Sequence, residues 1–314
     1  MKKWFIGISA LLILTIACIY IFIPEKMVVS KLMTAKVTID GAARFLSNEK
    51  NWGKWWRDER GKVHEKGKPY SFNAATYQLT SFRDKGVGIQ IRDQGITINS
   101  LISLVTLNRD STLIFWQCEI PGSNNPIYKI SKYRQAVAIK KNMSAVMKNF
   151  CGFIADPENI YAFKFRREST NDTLLLSARF KTDHYPSTLE IYNNLSLIEQ
   201  NIKKQKATVV GFPLLHVNKA GDGNFEVQVA LPTSKWLKDD DIFFSRRMVK
   251  GYFIIGDVTG GPDKVSMAED QLGNYVSDYG KTRIAIPFQR LVTDRMIEKD
   301  TSKWHTQVFM PVME

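Results

Sequence analysis

Twenty consecutive residues, Trp4 to Ile23, carry no charge. An α-helix rises 1.5 Å per residue, so such a run matches a hydrocarbon core about 30 Å thick. Trp4 and Tyr20 stand near its ends, where amphipathic rings favour a membrane interface. Lys2 and Lys3 precede it, and Pro24, Glu25 and Lys26 end it. A cleaved leader has a shorter apolar core followed by a small-x-small site, which Ile21-Phe22-Ile23-Pro24 does not offer. Thr15-Ile16-Ala17-Cys18 is loosely like a lipoprotein box, but the residues after Cys18 stay apolar. The run therefore reads as an uncleaved transmembrane anchor over residues 1–26, with the lipid bilayer as a partner. The expected location is a single pass through the cell inner membrane. Lysines nearly balance on the two flanks, and the short N-terminal tail with Lys2 and Lys3 favours soluble domains on the outer, periplasmic side.

The remaining 290 or so residues are enough for two domains. Apolar residues make up 44% of the chain, too many for a disordered one. The net charge of +13 favours contact with anions. Zinc-finger spacing, RNA-binding signatures and basic zippers are all absent from the sequence, so no nucleic-acid partner is expected. Cys18, Cys118 and Cys151 form neither a disulfide framework nor a metal motif, and whether Cys118 and Cys151 pair is open.

From Val28 to Ile154 the pattern is strand, short helix, strands, long helix. Val28–Thr38 reads as a strand and Ile39–Leu46 as a helix. The aromatic corner Asn51-Trp52-Gly53-Lys54-Trp55-Trp56 follows. Tyr70–Thr80, Val87–Arg92, Ile96–Thr106 and Thr112–Ile120 are rich in β-branched and aromatic residues. Lys132–Ile154 carries apolar residues at three- and four-residue spacing and stops at Asp156-Pro157. A long helix laid on a curved antiparallel sheet can enclose a ligand cavity.

The order of these elements, with the Trp52–Trp55 corner, resembles the SRPBCC family (START and Bet v 1-like, polyketide cyclase and dehydrase branch) over residues 27–163. The proline that many members carry before the first helix is missing from Thr38-Ile39-Asp40-Gly41. The resemblance implies a helix-grip domain that holds apolar or amphipathic molecules, mostly without catalysis.

Residues 164–314 read as βαββ twice. Strand Thr173–Thr182, helix Ser187–Gln205 and strands Phe212–Asn218 and Asn224–Leu231 make the first unit. Strand Met248–Val258, helix Val265–Tyr279 and strands Ile284–Thr293 and Thr306–Val312 make the second. Two such units side by side give one sheet with a groove at a pseudo-two-fold axis. Val209–Leu214, Phe225–Pro232, Gly251–Gly261 with Gly273-Asn274-Tyr275, and Trp304–Val312 resemble the GyrI-like family, which shares its fold with the effector-binding domains of AraC- and MerR-type regulators. Members typically place a glutamate at the pocket floor on the penultimate strand. The matching stretch here is Pro287–Asp294, which puts Gln289 at that position, or Arg290 on a one-residue shift. The strand thus brings no carboxylate, which favours a neutral or anionic ligand.

The expected architecture is thus α+β: an N-terminal transmembrane helix, a helix-grip antiparallel sheet domain, then a duplicated βαββ GyrI-like domain. A membrane-anchored, bacterial-type protein that binds or senses a small apolar or amphipathic molecule without catalysis fits it best. Trp52, Trp55, Trp56, Met143 and Met147 are the candidate ligand contacts of the first domain, and Phe288, Gln289 and Trp304 those of the second. The rival is a cyclase- or hydrolase-like enzyme, for which Glu119, Asp93 and Arg92 are the nearest titratable residues in the first cavity. His64, His184, His216 and His305 show no metal-ligand spacing, and Asp239-Asp240-Asp241 lacks the calcium-loop pattern. Gly251–Gly261 is not a dinucleotide fingerprint, so neither a cofactor nor a metal is expected. A ligand-dependent scaffold for a protein partner is a third reading.

Overall fold

In a computed structural model the chain divides into two compact units, Met1–Asp156 and Pro157–Glu314. The structure describes residues 2–313 except 66, 84, 171, 172, 222 and 249, and not the side chains of residues 2, 3, 5 and 83.

The first unit opens with helix α1 (Lys2–Phe22). The expected single-pass anchor, and with it the inner-membrane location and the bilayer partner, is corrected here. Among the described residues, no helix is long and apolar enough to cross a membrane. The C-terminal end of α1 is tied to its own unit. The Tyr20 hydroxyl donates to the Asn124 carbonyl, and the Lys129 ammonium sits 4.7 Å from the Tyr20 ring centroid.

Strand β1 (Lys26–Ala35) leads to two short helices, α2 (Ile39–Leu46) and α3 (Glu49–Trp55). Thr38 caps the first, its side chain accepting from Gly41 N, and Asn48 caps the second through Lys50 N. Strands β2 (Tyr70–Phe72), β3 (Ala75–Arg83), β4 (Gly86–Asp93), β5 (Ile96–Asn108) and β6 (Ser111–Pro121) then form a meander. Asn73 adopts φ 51° and turns β2 into β3, splitting what reads in the sequence as one strand. The sheet is antiparallel with order β1-β6-β5-β4-β3-β2, so the first strand returns beside the last. Helix α4 (Pro126–Ile154) lies against β1 and β6. It begins six residues before the predicted start, because Asn125 caps it through Ile127 N and Tyr128 N and Pro126 fits its first turn.

The second unit starts with α5 (Pro157–Tyr161), β7 (Phe165–Thr170) and β8 (Thr173–Thr182). Next come α6 (Thr188–Lys204), β9 (Leu214–Lys219), β10 (Phe225–Pro232), β11 (Phe244–Met248) and β12 (Gly251–Thr259). The chain closes with α7 (Pro262–Asp278), β13 (Thr282–Arg283), β14 (Phe288–Leu291) and β15 (His305–Met313). Ser187 and Glu190 form a reciprocal capping box at the start of α6.

One antiparallel sheet runs β11-β8-β10-β9-β14-β15-β12-β7, with β13 also on β15. The two βαββ units, β8-α6-β9-β10 and β12-α7-β14-β15, are therefore joined at β9 and β14. Gln289↔Leu215 and Arg290↔Leu214 pair across that seam, and the Leu291 N–H donates to the Pro213 carbonyl at 2.9 Å. The predicted strand Ile284–Thr293 breaks because residues 284–287 leave the ladder between β13 and β14. The edge strands β7 and β11 escape the sequence reading, since Phe165–Thr170 and Phe244–Met248 are rich in charge rather than alternating.

Both helices lie on one face. Helix α6 packs Ile191, Leu195, Ile198 and Ile202 on β8 and β10, and α7 packs Val265, Ala268, Leu272 and Val276 on β12 and β15. These apolar stripes recur every three or four residues, and their burial drives the assembly. The other face carries a smaller cluster, Phe253, Ile255 and Phe309 with Phe288 and Met248 beside it.

Candidate functional site

The aromatic corner of the first unit is packed solid. Trp52, Trp55 and Trp56 are at most 2% exposed. Trp52 stacks on Trp56 at 5.6 Å, and Trp55 meets Phe150 of α4 at 4.8 Å. Each indole N–H donates to a main-chain carbonyl: Trp52 to Leu46, Trp55 to Phe45, Trp56 to Ser71. Buried indoles with their polar edge satisfied behave as core. Met143 and Met147 are likewise buried in the space between α4 and the sheet, with Met143 Sδ 3.9 Å from Cys118 Sγ. Cys118 and Cys151 are free thiols.

The titratable candidates of this unit do not converge. Glu119 is exposed and paired with Lys26 at 3.4 Å. Arg92 bonds Gln90 and Gln78 at the surface, while Asp93, the next residue on β4, is buried and points the other way.

In the second unit the site is built around Gln289. On the helix-covered face one cross-strand row reads Ala178, Val229, Leu215, Gln289, Val308, Gly256. Gln289 is its one polar side chain, 3% exposed, on the strand beside the pseudo-two-fold seam. Gln289 faces the helices, whereas Arg290 faces away and bonds Gln307 at 3.2 Å.

The amide of Gln289 donates to Glu269 Oε1 at 3.2 Å. The strand brings no carboxylate to this position, but α7 supplies one, Glu269, four residues after Val265. Burial pushes the Glu269 carboxyl up to about 7, and the Gln289 hydrogen bond opposes that rise. The Gln289 carbonyl oxygen is buried without a partner. An orphaned acceptor of this kind is uncommon in a folded protein.

Tyr185, at the start of the segment leading into α6, stands at the surface over this floor, edge-on to Phe225 at 5.8 Å. Burial of its hydroxyl raises its pKa, and the Gln289 amide beside it lowers it. Beyond Tyr185 lies Arg295, 4% exposed. Its guanidinium bonds Thr306 Oγ1 at 2.9 Å and covers the Trp304 ring at 4.6 Å. Its backbone N–H donates to the Tyr192 hydroxyl at 2.9 Å. Among the described residues no carboxylate pairs with Arg295, so a charged group is buried without a counter-ion, and burial pulls its pKa down.

The structure thus brings Gln289 and Trp304 to the helix-covered face. Phe288 points to the opposite face, stacked on Phe309 at 4.8 Å. Glu269, Tyr185, Tyr192 and Arg295 were not legible as site residues. Glu269 alone carried a signal, a carboxylate on the apolar stripe of an amphipathic helix. Among the described residues no cluster of three or more His, Cys, Asp or Glu could hold a metal.

No family model matches the chain, and no curated protein does either. Solved structures similar to it include the C-terminal domain of EcmrR, 16% identical, covering 48% of this chain and 98% of that one at a TM-score of 0.42. A hydrolase from Listeria innocua is 12% identical, covering 48% and 92% at 0.39. SAV2435 bound to tetraphenylphosphonium is 13% identical, covering 48% and 94% at 0.31. Likeness this distant leaves function to the geometry of the site. The duplicated βαββ sheet itself is consistent with a GyrI-like fold.

Proposed function

We propose that the second unit is a GyrI-like effector-binding domain that holds a small apolar or amphipathic molecule, neutral or anionic, in the groove between α6 and α7. The orphaned Gln289 carbonyl oxygen carries this reading. A buried acceptor at the centre of an apolar row is satisfied when a ligand N–H or O–H reaches it. Tyr185, Tyr192 and Trp304 offer aromatic surface around that floor, and the uncompensated Arg295 offers an anionic ligand its counter-charge. The first unit we read as an SRPBCC-like helix-grip domain, on the return of β1 beside β6 and the long helix across the sheet. Its densely packed interior leaves the ligand-binding role with the second unit.

Native mass spectrometry of the purified chain after incubation with a cell extract tests the proposal. One small molecule should be retained per chain, and Gln289→Leu and Arg295→Met should lose it while keeping the fold. Absence of any adduct, or an adduct indifferent to both substitutions, contradicts the reading.

One observation favours a second reading, a hydrolase-like activity in the same groove. A carboxyl with its pKa near 7 is suited to general acid or base work. Turnover of an activated ester that follows an ionisation near pH 7 and disappears in Glu269→Gln would be its signature.

A further inference from the structure

The face of the second sheet away from the helices holds a cavity of about 260 Å³. It is separate from the groove around Gln289, because side chains alternate across the sheet and Gln289 points to the other side. Its walls are mainly apolar, with Leu214 and Ala230 on neighbouring strands, Phe253 and Phe288 beside them, and Ile284 and Ile286 above; Arg247 and Lys250 also reach the lining. Ile284 and Ile286 belong to the segment 284–287 that left the ladder. That segment crosses the cavity as a strap, pinned where Ile284 N–H donates to the Pro311 carbonyl at 3.2 Å and Arg283 Nε to the Ala285 carbonyl at 3.1 Å.

One end of the cavity is basic. The cross-strand row next to Ala230–Leu214 reads Arg179, Gln228, His216. His216, Gln228 and Ile286 line both the apolar cavity and an adjoining depression that contains Arg179 and Arg283. Lys181 and Glu226 of that depression neutralise each other at 3.1 Å. Neither Arg179 nor Arg283 forms a salt bridge among the described residues, although Arg283 feels the Glu269 carboxyl at longer range. An apolar chamber that opens onto two guanidinium groups free of salt bridges is complementary to a molecule with an apolar body and one acidic head. The volume lies just below the roughly 300–1,000 Å³ of drug-sized sites, which sets the body at a medium chain or a small ring system.

We infer that this strapped cavity is a second binding site, for a medium-chain amphipathic monoanion whose head is held by Arg179 and Arg283 and whose tail lies under Ile284 and Ile286. It stands independently of the groove between α6 and α7.

Calorimetric titration with decanoate and decylamine, two ten-carbon chains differing in head charge, tests it. Decanoate should bind at least tenfold more tightly than decylamine. Arg179→Ala should cut that preference severalfold; the side chain is exposed and takes no part in pinning the strap, so the fold and the strap should survive. Ala285→Trp, in the strap, should block both probes by filling the cavity. In a chain that carries Gln289→Leu and Arg295→Met, so that the groove is disabled, a decanoate site should remain and should be lost on adding Ala285→Trp. Equal affinity for the two probes overturns the inference. So does loss of all decanoate binding in the groove variants, or a dimer in sedimentation that covers this face and excludes decanoate.

Discussion

Replacing Trp52 by alanine is expected to cost the first unit about 3–5 kcal/mol, measured by urea denaturation of the whole chain. The indole is fully buried, stacks on Trp56 and lies against Trp55 and Tyr70. Its removal opens a cavity among side chains that cannot collapse together, and it strands the Leu46 carbonyl that accepts the indole N–H. Mean stability of a domain is only about 5–15 kcal/mol, so much of the first unit's margin would go. A loss below about 1 kcal/mol would show the indoles to be a loosely packed rim, as a ligand mouth would be, and the first unit would return as a binding site.

The second large effect concerns Glu269 and pH. Its carboxyl titrates near 7 in the folded chain and near 4.5 when unfolded. Between those values the folded state holds a proton that the unfolded state has released. The protonated group costs nothing below pH 4.5, and stability falls as pH rises from 4.5 to 7, as ionisation of the buried carboxyl sets in. The loss amounts to at most about 3–4 kcal/mol, since each tenfold difference in proton affinity between the two states corresponds to about 1.4 kcal/mol. Glu269→Gln keeps an acceptor for the Gln289 amide and abolishes the titration. The variant should therefore match the parent chain at pH 4 and exceed it in stability at pH 8. Identical stability profiles for the two chains would mean that Glu269 is not buried in the groove. The same ionisation places a negative charge beside the proposed ligand, so affinity for an anion should decline as pH rises through 7.

Much of the architecture was legible because periodicity reports burial. Thr173–Thr182 and Ile39–Leu46 appear with the predicted ends, and the twofold βαββ order holds in the sheet. Misreadings arose where tertiary context overrides pattern. Asn73 turns the chain inside an apolar run, residues 284–287 desert the ladder to form a strap, and charged edge strands pair without a core-facing alternation. The apolar N-terminal run is helical as expected, but among the described residues no helix is long and apolar enough to cross a membrane. The site was legible at one point. Gln289 was placed by the resemblance to the GyrI-like family, whereas its neighbours come from α7, from the segment before α6 and from the loop after β14. Only folding brings Glu269, Tyr185 and Arg295 to it, and a lone arginine in a loop carries no sequence mark of being buried.

A matched pair of aromatic probes decides whether the groove between α6 and α7 holds a neutral or anionic small molecule. Naphthalene-1-sulfonate and trimethyl(1-naphthyl)ammonium differ in the sign of a permanent charge. Each should be titrated calorimetrically at pH 7 into the parent chain and into Arg295→Met. The sulfonate is predicted to bind at least about tenfold more tightly, a difference of about 1.4 kcal/mol, and to lose that advantage in Arg295→Met. Tighter binding of the ammonium, or a sulfonate affinity unchanged by loss of Arg295, would contradict the account.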